Sequence, residues 1–347
     1  MMTKKRWVTV SFLQKERKMK KVPIGVVIDD PAPVVSAYYQ HAYKKVLDDG
    51  RPLLKTFPNS FLYEFCDVIE KHGIKGKFSI VPMPGNQGDI VNGIEGVDPA
   101  EMKEWMDVVK SRVLKNFSPA PEMLTHHKAV DLETGKDLPM NEEEFAKNQT
   151  RETLTPYITK ALSIHKEAGL NTIGVTSPWT FGRDVEDEYA AAISKAVYDV
   201  TGSKKAWYFL HVIMRRENIK PWIAHEEDGR TVVSIPSTVR DYIWETIRST
   251  DTSEEYVQSL ADRYITADGK DGLLVRNLEN GCFPIFNTHW QALNSNGLGT
   301  GLRVLDTIAS RINEHLSDRV EWMTFEEIMN YVIENKESFP KMDLSFL

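Results

Sequence analysis

The chain has 347 residues, with 43 Lys and Arg against 50 Asp and Glu, for a formal net charge of −7. That balance, without long basic tracts, argues against nonspecific nucleic-acid binding or an anionic membrane surface, and no apolar run approaches the roughly 18–20 residues of a spanning helix. Two cysteines, Cys66 and Cys282, make neither a disulfide framework nor a thiolate zinc cluster, which leaves nine histidines and eight tryptophans to explain.

Residues 1–20 are basic, with a short apolar piece followed by Gln14-Lys15-Glu16-Arg17-Lys18. This lacks the longer apolar region of a secretory signal, so an N-terminal extension and a cytoplasmic protein are expected. Residues 21–28 form a β-branched run that ends in Asp29-Asp30-Pro31, the pattern of a buried strand with two carboxylates at its C-terminal end. Helical apolar spacing over 60–72 closes at Gly73, and residues 77–82 read as the next strand. Asp98-Pro99-Ala100-Glu101 is a helix start with Asp98 as N-cap and Pro99 in the first turn.

A third strand is expected over 122–126, ending in Thr125-His126-His127, and a long helix over 141–168. Strand 172–175 runs into Ser177-Pro178-Trp179. Helix 187–200, strands 207–213 and 231–235, and helix 254–264 follow, and strand 284–287 leads into Thr288-His289-Trp290. Helix 301–316, strand 319–323 and helix 325–334 complete the pattern. Strands alternating with helices imply a parallel α/β sheet or barrel, and the polar residues recur just after strands, where such folds build ligand sites on one rim.

Asp29 and Asp30 point in different directions, so one can bind a cation while the other accepts a proton; an Asp-Asp-Pro turn is the plain alternative. Adjacent His126 and His127 would face opposite sides of a strand, so only one is expected to reach a given metal. His289 reads equally as a rim histidine with a structural partner. The remaining histidines, His41 among them, are expected to be structural or solvent-facing.

In order and spacing these pieces resemble the polysaccharide deacetylases, carbohydrate esterase family four, of the glycoside hydrolase/deacetylase superfamily. Val27-Ile28-Asp29-Asp30-Pro31 is similar to that family's Thr-Phe-Asp-Asp-Gly-Pro, and Lys71-His72-Gly73-Ile74 leads into a strand as its Lys-x-Gly-Ile does. Glu122-Met123-Leu124-Thr125-His126 stands where the family has Glu-Ile-Gly-Asn-His, and Phe286-Asn287-Thr288-His289 where it has Leu-x-His. The likeness spans about 22–332 and implies a single domain over 21–347, a distorted (β/α) barrel of seven or eight parallel strands with long loop insertions. It implies Asp29 as general base, Asp30 and His126 as ligands of a divalent metal, expected to be zinc, and His289 as general acid. Trp179 and Trp290 become candidate platforms for a carbohydrate or other small acetylated substrate.

Two departures stand out. The family's second metal histidine, four residues after the first, is Val130 here, so the third ligand is His127, Asp131 or a residue from elsewhere, or no metal binds. The family's arginine before the Pro178 motif is replaced by Thr176-Ser177, with Arg183 and Arg240 as substitutes from other loops. The expected activity is removal of an N- or O-acetyl group by metal-activated water. The alternatives are a metal-independent C–N or glycoside hydrolase and a non-catalytic glycan-binding protein on the same scaffold.

Overall fold

The computed structural model describes residues 21–42 and 44–344; the expected extension over 1–20 lies outside the described residues. In chain order the first elements are β1 (Val22–Ile24), β2 (Val26–Asp29), α1 (Ala37–His41), α2 (Asn59–His72) and β3 (Gly76–Ile80). A two-residue pair follows, β4 (Gly88–Asp89) with β5 (Gly93–Ile94), then α3 (Pro99–Ser111) and β6 (Phe117–Pro121). The hairpin β7 (Lys128–Val130) and β8 (Asp137–Asn141) precedes α4 (Glu142–Ala146), α5 (Arg151–Glu167) and β9 (Gly174–Thr176). Next come α6 (Glu186–Thr201), β10 (Lys205–Phe209), β11 (Trp222–Glu227) and β12 (Arg230–Ser234). The chain ends through α7 (Glu254–Tyr264), α8 (Leu273–Glu279), β13 (Phe286–His289), α9 (Trp290–Asn294), α10 (Thr300–His315), β14 (Val320–Trp322) and α11 (Phe325–Glu334).

The local signals act as expected at several ends. Gly73 closes α2 at φ 64°, and the Asp98 carboxylate caps α3 through the Ala100 and Glu101 amides. Gly76 is needed for another reason: a Cβ there would sit 1.8 Å from the Val26 carbonyl oxygen on the neighbouring strand. The long helix expected over 141–168 is two helices, because Asn141 caps α4 and Thr150 starts α5 with its own reciprocal cap.

Two four-stranded sheets carry the fold. One is wholly parallel in the order β13-β2-β3-β6, and the other has the order β11-β12-β10-β9, parallel except for β11. Strand β2 is buried along its whole length, as a parallel strand covered on both faces must be. The sheets meet through single bridges, Glu122 to Thr176 on one side and Val239 to Phe286 on the other, so no continuous ladder closes a barrel among the described residues.

Proline chemistry explains both weak seams. The Glu122 amide donates to Ile80 of β3 and the Met123 amide to Thr176 of β9. Odd-numbered residues here therefore face β9, and two of them, Pro119 and Pro121, have no N–H to give. On the other side, Pro236 stands two residues after the end of β12 and likewise donates nothing. Residues 122–127, expected as a strand, form an irregular loop with Met123 at φ 37° and His126 at φ 51°.

Helices cover the sheets: α2 and α3 pack their rings on β3 and β6, α10 lies along α2, α6 lies on β10, β11 and β12, and α5 packs on α6 and against β6. Their apolar faces close a core in which Phe65, Phe78, Trp105, Phe117 and Trp290 pack ring against ring. A second cluster under α11 joins Trp207 and Phe209 to Phe325.

Candidate active site

Strand β2 delivers Asp29 and Asp30 to the strand-end rim, and the turn there places Asp30 at φ 66°. A left-handed conformation is unfavourable for a residue with a side chain, and it recurs at Met123, His126 and Trp179 beside the same site. Tertiary contacts hold these positions. The Asp30 amide donates to Glu122 Oε2 at 2.6 Å. The buried Glu142 carboxylate accepts from the amides of Leu124, Thr125 and His126 at 3.0, 3.0 and 2.9 Å, and from the Tyr157 hydroxyl at 2.8 Å. One carboxylate thus satisfies three amides of a loop that makes no ladder there.

This loop brings three side chains to one point. His126 Nε2 lies 2.9 Å from Asp30 Oδ1 and 3.4 Å from Glu122 Oε1, and all three residues are buried. Their donor atoms fall within 4.8 Å of one another. Gln291 donates to Asp30 Oδ2, while Asp30 Oδ1 and His126 Nδ1 are buried without a hydrogen-bond partner. Two buried carboxylates and one imidazole that converge on a point make the donor set of a divalent-cation site, where a cation would replace the proton of His126. The third member of this cluster is Glu122, four residues before His126. His127 is half-buried and lines a neighbouring cavity, and Asp131 caps the turn through the Glu133 and Thr134 amides.

Crowding of charge sets the proton affinities. Burial, the largest single influence, would raise Asp30, but the charge and hydrogen bond of His126 together with the charge of His289 hold the carboxyl well below the usual range. Glu122 has burial and the charges of Asp30 and Asp29 against it, and is pushed up to about 8. Burial opposes the charged form of His126, yet its two carboxylates keep the ring protonated well above the ordinary histidine value.

Asp29 occupies a separate environment on the same rim. Its Oδ1 accepts from Lys77 Nζ and from Ser79 Oγ, the latter at 3.1 Å. Lys77 also donates to Ser79 and, at 2.8 Å, to Thr176, and its ammonium lies 4.5 Å from the centre of the Phe209 ring. This lysine is 0 % exposed. Neither Arg183 nor Arg240 takes the part of the missing arginine. The cation beside Asp29 is Lys77 from the adjacent strand, where β2 and β3 are paired in parallel.

His289 is the register partner of Asp29 on β13, so both side chains leave the sheet on one face. Its Nδ1 is 2.7 Å from Asp241 Oδ2, which also accepts the His289 amide at 3.2 Å. Asp241 Oδ1 in turn accepts the Trp244 amide at 3.0 Å, and the Trp244 ring meets the His289 ring edge-on at 4.9 Å. Burial favours the neutral ring, but the Asp241 hydrogen bond and the charges of Asp30, Asp241 and Asp29 push His289 up to about 9.

Asp29, Asp30, Glu122, His126 and His289 open into one cavity of about 690 Å³. Its wall includes Tyr38, His41, Trp179 and Trp244. The His41 ring stacks on His126 at 4.6 Å and meets Trp179 edge-on at 5.6 Å. Burial beside the positive His126 pushes His41 down to about 3, so it stands there as a neutral ring. Trp179 is 41 % exposed and lies against His126 at 4.7 Å. Trp290, the other proposed platform, is 1 % exposed and packs among Phe61, Phe65 and Phe78, which leaves it no face for a ligand.

No family model matches this chain, and no curated protein matches it. Among solved structures it has a likeness to an Enterococcus faecalis protein provisionally described as a cellobiose-phosphate cleavage protein, at 8% identity and a TM-score of 0.41. That alignment covers 89% of this chain and 100% of the other. The lactam utilization protein of Thermus thermophilus aligns at 11% identity and a TM-score of 0.36, over 87% of this chain and 99% of the other. Neither is described as a deacetylase, and at these scores neither supports an assignment.

Proposed function

We propose that this chain is a metal-dependent hydrolase that removes an acyl group, in first place an acetyl group, from a carbohydrate. The observation that supports this reading is the convergence of Asp30, Glu122 and His126 beside Asp29 and His289 in one cavity. In the same reading the two sheets are the halves of a distorted (β/α) barrel, with the single bridges as its seams.

Asp30, Glu122 and His126 would hold a divalent cation, whose chemistry when bound is to polarise an acyl oxygen and acidify a water. Two carboxylates and one imidazole suit zinc, but equally manganese, iron or cobalt. Asp29 takes the proton of the attacking water as its oxygen bonds to the acyl carbon. Lys77 fixes that carboxylate through their salt bridge. His289, charged and oriented by Asp241, gives its proton to the departing nitrogen or oxygen as the acyl bond breaks. Trp179, Trp244 and Tyr38 supply flat apolar faces for a sugar ring.

The deciding experiment measures metal content together with acetate release from N- and O-acetylated sugars. About one divalent ion per chain, with release abolished by Asp29→Asn, supports the reading; absence of both defeats it. A second reading draws on the raised Glu122, because a proton on that carboxylate would also relieve the buried charge. Hydrolysis that survives strong chelation would select this metal-free use of Asp29 and His289.

A further inference from the structure

The rim of the cavity carries cationic charge that the chain leaves uncompensated. Of the carboxylates on it, Asp29 is paired with Lys77 and Glu245 with Arg263. Two arginines line the same cavity, Arg240 and Arg248. Arg240 lies over the Tyr242 ring at 4.8 Å, and neither arginine has a carboxylate or hydrogen-bond partner among the described residues.

Arginines elsewhere in this acidic chain are usually paired. Arg112 holds Asp67 and Glu70, Arg151 holds Glu227, and Arg303 holds Glu254. Arg183, Arg215 and Arg319 also lack such a partner among the described residues, but Arg240 and Arg248 are the two that share the wall of this cavity. Arg248 also lines a second cavity of about 780 Å³, which shares Tyr38, His41 and Trp179 with the first. Its guanidinium therefore stands where the two compartments adjoin.

We propose that Arg240 and Arg248 form a binding site for an anionic group, a carboxylate or a phosphate, on the substrate or on a ligand that occupies this cavity. Both arginines are exposed at the cavity mouth, and a guanidinium presents forked donors that match either group bidentately. This deepens the hydrolase reading and rests on it only for the word substrate; the anion site itself needs no turnover.

The test uses the full chain with glucose, glucuronate and glucose 6-phosphate as ligands, followed by calorimetry and thermal shift. Glucuronate, glucose 6-phosphate or both should bind at least tenfold more tightly than glucose, and which one does identifies the anion. Arg240→Gln with Arg248→Gln should lower that affinity roughly ten- to a hundredfold. Asp30→Ala, which disables the proposed metal position, should retain the anion preference. If acetate release is measurable, the double variant should lose selectivity for acidic over neutral acetylated sugars mainly through KM. Equal binding of all three ligands, or an anion preference lost in Asp30→Ala but kept in the arginine variant, overturns the proposal. Anion binding without any hydrolysis would defeat the enzyme reading and leave the anion site standing.

Discussion

Lys77 and Asp29 form a salt bridge across two adjacent parallel strands, in which the ammonium has no contact with solvent and the carboxylate is almost fully buried. Breaking a buried pair by removing one partner leaves an uncompensated charge and typically costs about 3–5 kcal/mol. Lys77→Met should therefore lower stability by that order and abolish any activity that needs Asp29 held in place. Adding Asp29→Asn to it should restore part of the stability but none of the activity. Chemical denaturation of the single and double variants reads the coupling, and strictly additive losses would show that the pair does not act as a unit.

The metal ligands can be separated by substitution. Glu122→Gln keeps the shape of the side chain but removes a ligand charge, and should reduce retained metal by tenfold or more. His127→Ala and Asp131→Ala, at the two positions nearest the motif, should retain it. Metal analysis after dialysis with and without chelator tests all three. Chelation should also lower the Tm of the wild type, because a cation bound only by the folded state stabilises it. Full metal retention in Glu122→Gln would exclude it as a ligand.

The contrast between Glu122 and the two misplaced candidates shows what the sequence made legible. Asp29, Asp30 and His289 were readable because each closes an apolar, β-branched run and lands on one rim. Glu122 lay inside the recognised motif, yet a strand would have put residues four apart well over 10 Å from each other along the chain. Only the irregular loop brings it to His126. Lys77 was hidden because a lysine in a strand ordinarily faces water. Its signal was a lone cation within a run buried on every side. Trp290 misled by adjacency: the residue after His289 starts α9 and turns into the core. His41 sits on a five-residue helix in the excursion between β2 and α2, and nothing local marks where that excursion folds back.

The His289–Asp241 pair predicts an alkaline limb. His289 is pushed up to about 9, so the imidazolium is the main form at neutral pH. If it is the proton donor, the rate should fall about tenfold per pH unit above about 9, where the ring becomes neutral. Asp241→Asn removes the hydrogen-bonded charge and should bring that limb down towards the ordinary histidine value near 6.5. A pH–rate profile of both proteins checks this, and a limb that Asp241→Asn leaves in place would assign it to another group.

A second titration concerns stability rather than activity. His165 of α5 is completely buried, with Nε2 3.0 Å from the Ile80 carbonyl oxygen and Nδ1 3.2 Å from Thr172 Oγ1, so it ties the helix to the end of β3. Burial drives its pKa down to about 4, and the hydrogen bond to the Ile80 carbonyl only partly opposes this. The unfolded chain, with a histidine near 6.5, therefore binds the proton first as pH falls. Stability from the neutral ring is fully present above about 6.5 and is lost as pH drops through the folded-state value near 4. Integrated across that window, the loss amounts to at most about 3 kcal/mol. His165→Gln gives up some packing at every pH but has no proton to take up. The stability gap between wild type and variant, measured by denaturation at pH 7, 5.5 and 4, should narrow as the solution becomes more acidic. A gap constant across the series would mean that His165 titrates alike in the folded and unfolded chains.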